Sequence, residues 1–163
     1  MTFGEPAETF RRHLLAPWRF RLGLVRSLPL AAAAGLRLRS LDEESCAVAL
    51  PGGWRTRNPF RSTYFAAQAM AAEMSTGAPA SVLVRAAPAS VSMLVTEVRG
   101  VFTKKIVGES LFTFAGVPAM RDTVERAARS GEALTFVARS VGRTADGTVA
   151  AEFEITWSFK RRS

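Results

Sequence analysis

A lone carboxylate, Glu73, interrupts the apolar run AMAAEMS at residues 69–75. A buried carboxylate is costly unless it is paired or put to use as a general base or nucleophile. Near the end of a helix and facing solvent it is only an ordinary helix former, and residue type alone favours that reading. Other chemistries find less support. His13 and Cys46 are the only histidine and cysteine, so a zinc site lacks its usual ligands and no metal is expected. A Ser-His-Asp system would have to recruit His13 from the N-terminal segment, and no glycine-rich phosphate loop precedes a helix. Neither a serine hydrolase nor a nucleotide-binding enzyme is indicated. Cys46 reads as a small buried hydrophobe, and a single cysteine excludes an internal disulfide, which fits a cytoplasmic location.

The elements that must position Glu73 follow from pattern. Residues 60–77, FRSTYFAAQAMAAEMSTG, form the strongest predicted helix, stopped by Gly77 and Pro79. Its start is either Asn58 as cap with Pro59 in the first turn, or Ser62 as cap. Leu36, Leu38, Cys46, Val48 and Leu50 alternate as in a strand or hairpin, which Pro51-Gly52-Gly53 ends. Further strands are expected over 82–86, 91–104, 109–115, 134–142 and 148–160, with a short helix over 118–130. The Asp146-Gly147 step marks a hairpin between the last two strands. One long helix followed by antiparallel strands indicates an α+β layer in which the sheet wraps the helix, and Ala66, Ala67, Ala69, Ala71 and Ala72 would allow close approach. At the N-terminus, Phe10, Leu14, Trp18, Leu22 and Val25 recur at helical spacing with arginines mostly on the other side. Pro17 should split this stretch into two short helices. Such a segment packs on its own domain more often than it lies on a membrane.

Bulk properties set the frame. The 163 residues, 48% of them hydrophobic, suit one domain, with residues 1–35 as an N-terminal helical segment and 36–163 as the core. The longest apolar run, residues 28–36, is about half of the roughly 20 residues that a membrane span needs, so no stable insertion is expected. Glu5 and Glu8 sit where a secretion signal would be basic, and none is expected. The net charge is +8, and 19 of the 22 basic residues are arginine. A positive surface attracts phosphates, but the basic residues are spread along the chain without aromatic interleaving, so no nucleic-acid face is indicated.

The segment WRTRNPFRSTYFAAQAMAAEMSTG, residues 54–77, resembles the central-helix region of hotdog-fold thioesterases, and most closely an uncharacterised group within that superfamily. Asn58 matches the Asn of the thioesterase pattern, Ser62 falls at its turn residue, and Glu73 matches its carboxylate. Tyr64-Phe65-Ala66 stands where His-Gly-Gly opens the helix. Residues 101–114 and 144–159 resemble the strand pair and last hairpin of the family, so the likeness covers roughly residues 36–160. The resemblance implies a hotdog fold, to which the helical segment read from residues 1–35 is an N-terminal extension, forming homodimers or a dimer of dimers. Asn58 and Glu73 are fifteen residues apart, on the order of 20 Å along a helix. One carbonyl cannot meet both within a chain, and a two-fold dimer would join Asn58 of one copy to Glu73 of the other.

The implied activity is hydrolysis of acyl-CoA or acyl-carrier-protein thioesters, with coenzyme A present only as part of the substrate and no other cofactor. Backbone N–H groups near Tyr64 and Phe65 would meet the thioester oxygen. Asn58 would orient the carbonyl or the water, and Glu73 would act as general base or nucleophile. Arg61, Lys104 and Lys105 are candidates for coenzyme A phosphates, against the alternative of solvated charge. Gln68 either lines the acyl tunnel or lies at the surface, the surface being favoured. Loss of both glycines at Phe65 and Ala66 gives a second expectation, a non-catalytic protein that binds acyl chains or acyl-CoA. Hotdog dehydratases place a histidine in the active site, and His13 lies outside the resembling region.

Overall fold

A computed structural model describes residues 3–162; Met1, Thr2 and Ser163, the outermost residues of the expected domain, lie outside the described residues. Three helices open the chain: α1 (Glu5–Leu15), α2 (Pro17–Ser27) and α3 (Pro29–Ala34). Prolines at the first or second position of each fix the backbone where no N–H partner is needed. A hairpin follows, β1 (Arg37–Leu41) and β2 (Cys46–Leu50), then the long helix α4 (Phe65–Ala86) and strand β3 (Val91–Phe102). The chain ends with β4 (Ser110–Phe114), α5 (Val117–Ser130), β5 (Leu134–Thr144) and β6 (Val149–Arg161). The six strands form one sheet in the order β1-β2-β4-β5-β6-β3, antiparallel at every step. The expected Asp-Gly hairpin is present: the Thr144 N–H donates to the Thr148 carbonyl, and Gly147 takes a φ of 84°.

Helix α4 contacts every strand of the sheet, so the sheet wraps the helix as the α+β reading expects. Small side chains permit this: Ala67, Ala71, Ala72, Ala78 and Ala80 are buried. Two buried polar bonds fix the register of helix on sheet. The Ser75 and Ser140 hydroxyls lie 2.8 Å apart, and Trp157 Nε1–H donates to Thr76 Oγ1 at 2.9 Å. Cys46 is buried on β2, and burial pushes its thiol pKa up, in keeping with a packing role.

Three expectations need correction. The long helix neither starts at Asn58 or Ser62 nor stops at Gly77; it begins after Tyr64 and runs through Pro79 to Ala86, and the strand expected over 82–86 is its last turn. Interior proline disfavours a helix by roughly 3 kcal/mol, but Ala78, Pro79, Ala80, Val82 and Leu83 are all buried by continuing it, and that burial outweighs the local signal. Asn58 is instead the hinge of a tight turn whose N–H groups its side chain holds. Lastly, the N-terminal apolar stripe does not keep one face inward. Pro17 restarts the helix in a new phase, so Phe20 and Leu24 are buried while Trp18, Leu22 and Val25 are 65%, 62% and 57% exposed.

Candidate active site

The turn before α4 is built by Asn58. Its Oδ1 accepts the backbone N–H groups of Phe60 and Ser62 at 3.0 and 3.1 Å and the Ser62 hydroxyl at 3.2 Å. These bonds identify the oxygen side of the amide, so the Nδ2 donors are the part left to meet a ligand. Thr63 and Tyr64 then tie the turn to its surroundings, donating to the carbonyls of Ile106 and Thr56 at 2.8 and 2.7 Å. The Tyr64 N–H, expected to face a substrate, is therefore occupied. Phe65 and Ala66 supply the first-turn N–H groups that no backbone carbonyl among the described residues takes, where the helix dipole favours negative charge.

A cleft of about 590 Å³ opens over this helix start. It is lined by Asn58, Tyr64, Phe65, Gln68, Lys104 and Lys105, so six of the eight expected residues come together, while Arg61 sits exposed on the turn and is not in the wall. Gln68 is not at the surface: it is 5% exposed. The turn of α4 that follows Tyr64 aims it under the loop, where Nε2 donates to the Thr63 carbonyl at 3.0 Å. Its Oε1 has no partner among the described residues. A buried acceptor of this kind suits a ligand or water donor. Tyr64 and Phe65 form the outer wall edge to face, with ring centroids 4.8 Å apart.

Glu73 lies elsewhere, in a chamber of about 400 Å³. Phe10, Phe20 and Leu24 from α1 and α2 face Met74 of α4, Met93 of β3 and Trp157 of β6 across it, with His13, Arg19 and Arg85 also in the wall. Glu73 is partly buried rather than solvent-facing, and burial raises its carboxyl pKa above the usual 4.5. It forms no ion pair among the described residues. Gly77, one turn on, leaves room for it: a methyl built there would sit 2.8 Å from Glu73 Oε1. The chamber and the Asn58 cleft share no lining residue. Because α4 begins only at Phe65, Asn58 and Glu73 do not share one helix and the expected helical separation of about 20 Å does not apply to them, yet the two still line separate cavities within one chain. Sequence reasoning did not place His13 or the α1–α2 roof beside Glu73, since nothing in residue spacing links that segment to it. Among the described residues no group of three or more His, Cys, Asp and Glu could hold a metal, and no helix is long and apolar enough to cross a membrane.

Residues 16–159 match the family described as Domain of unknown function (DUF4442). The chain belongs to the DUF4442 family. Solved structures share its fold. A Chlorobaculum tepidum protein of unknown function superposes with a TM-score of 0.75 at 12% identity, over 91% of this chain and 98% of that one. A Pseudomonas aeruginosa protein of unknown function, described as a probable thioesterase, gives 0.71 at 17% identity, over 92% and 99%. A Haemophilus influenzae thioesterase gives 0.63 at 12% identity, over 86% and 88%. No curated protein matches the sequence. At these identities the likeness carries the fold.

Proposed function

We propose that this DUF4442 protein hydrolyses acyl thioesters at two equivalent sites, each combining the Asn58 cleft of one copy with the Glu73 chamber of a second. The observation that carries this reading is Glu73 itself, a carboxylate without an ion-pair partner among the described residues, partly buried in a largely apolar chamber and with its pKa raised. A protein retains such a costly group where it serves as base or nucleophile. The chamber beside it suits an acyl chain: at roughly 30 Å³ per water-sized group in a liquid, it takes on the order of ten methylenes. The thioester carbonyl would receive Asn58 Nδ2–H and the N–H groups of Phe65 and Ala66. A water held by Gln68 Oε1 would lose its proton to the second copy's Glu73 as its oxygen bonds to the carbonyl carbon. The C–S bond then breaks and the thiolate leaves, taking up a proton. Lys104 and Lys105 at the rim would meet the phosphates of coenzyme A or an acidic carrier protein.

Strand β3 supports the pairing of copies. It is a twelve-residue edge strand with Leu94, Val98, Val101 and Phe102 exposed, and long apolar edges are stabilised by pairing with another strand. The single cysteine suits a reducing, cytoplasmic setting. Hydrolysis of a panel of acyl-CoA thioesters, followed by thiol release, tests the assignment: Glu73→Ala should lower turnover about 10²- to 10⁴-fold, and undiminished turnover would remove Glu73 from the mechanism. One observation favours binding without turnover, the Tyr64–Phe65 pair where close backbone approach needs small residues. Saturable acyl-CoA binding with no thiol release across the panel would select it.

A further inference from the structure

We propose that α2 docks the protein on an anionic lipid surface. The helix is anchored from beneath by Phe20 and Leu24, and Trp18, Leu22 and Val25 recur on its opposite, open face at spacings of four and three residues. That spacing gathers them into one stripe within about 60° of the helix circumference, at roughly 100° per residue. Arg21 flanks the stripe on one side and Arg19 and Arg26 on the other. All three arginines are exposed, none has an acidic partner among the described residues, and α2 contains no acidic residue. An aromatic and aliphatic stripe between arginines is the composition of a helix lying in a bilayer interface, where the apolar residues enter the headgroup boundary and the arginines meet lipid phosphates.

Other occupants fit less well. A second copy meeting this one through α2 would oppose like charges, three arginines against three. A stable protein interface needs on the order of 1,200 Å², more than one stripe of three side chains presents. The net charge of +8 reinforces attraction to an anionic surface. Docking does not depend on hydrolysis. If both hold, the inner face of the docked helix is a wall of the Glu73 chamber, which places that chamber one helix away from lipid-soluble acyl chains.

The test is co-flotation of the full chain with phosphatidylcholine vesicles, with and without phosphatidylglycerol. Binding should require the anionic lipid and weaken at least tenfold between about 0.05 and 0.5 M salt. Trp18→Ser/Leu22→Ser and, separately, Arg21→Ala/Arg26→Ala should each lower it about tenfold or more, with circular dichroism and melting temperature confirming that these surface variants fold. Absence of binding, equal binding to neutral vesicles, or wild-type binding by either variant would overturn the proposal. A change of sedimenting mass in the apolar variant without a change in flotation would overturn it in favour of a protein partner.

Discussion

Replacing Gly77 with alanine should lower turnover while leaving the protein folded. Glycine inside a helix ordinarily costs about 0.5–1 kcal/mol relative to alanine, so propensity alone makes the variant more stable. Opposing this, the new methyl would sit 2.8 Å from Glu73 Oε1 and 3.2 and 3.3 Å from Cζ2 and Cη2 of Trp157. The indole cannot readily give way, because Nε1–H is bonded to Thr76 Oγ1. The carboxylate, the free end of a flexible side chain, is the part that moves. Reaching an ordinary contact of 3.4 Å takes a retreat of about 0.6 Å. Overpacking of a buried site costs about 1–3 kcal/mol, which leaves a net loss of roughly 0–2.5 kcal/mol after the propensity gain. Misplacing a catalytic group by about 1 Å can cost on the order of 10² in rate, so turnover should fall by up to that factor. Urea denaturation and acyl-CoA thiol release measure the two quantities on one preparation. Gly23→Ala is the control for propensity: its added methyl meets nothing within 4 Å, and it should gain about 0.5–1 kcal/mol. If Gly77→Ala were stabilised to the same extent and kept full turnover, the placement of Glu73 by this contact would be refuted.

Two further substitutions probe the same helix. The raised Glu73 pKa means that the folded protein holds this proton more tightly than the unfolded chain, so stability falls as pH climbs from 4.5 through the raised value. Glu73→Gln removes that dependence; urea titrations should show it gaining on the wild type at neutral pH and not below pH 4.5, while the acid limb of wild-type turnover lies above that pH. Thr76→Val leaves the indole N–H of Trp157 buried without an acceptor and should destabilise by about 1–3 kcal/mol in the same titration.

Much of this architecture was legible in the sequence because it rests on local pattern. Alternation set the strands, Pro17 split the first helices, and Asp146-Gly147 set the last hairpin. The errors arose where tertiary burial overrode local signals. Pro79 reads as a stop, yet the sheet buries the residues around and after it in helical form. Trp18, Leu22 and Val25 read as a core face, yet their phase is set by which side of α2 covers the chamber. The site was half legible. Asn58, Tyr64, Phe65 and Gln68 were identified along one segment and Lys104 and Lys105 by their charge, and all six share a cleft, although Gln68 is buried rather than at the surface. Its depth depends on the Asn58 turn folding over it, which spacing does not reveal. The α1–α2 roof over Glu73 was invisible, since contacts between segments 50 residues or more apart leave no mark in a single sequence.

The central claim, a site shared between two copies, is tested most directly by mixed dimers. Chains carrying Asn58→Ala and Glu73→Ala, each expected to be inactive alone, can be co-expressed with different tags and purified as heterodimers. Two-fold symmetry then yields one site with both changes and one with neither, so about half of wild-type turnover should return. Heterodimers as inactive as their parents would contradict a shared site, as would a purified protein that stays monomeric while turning over.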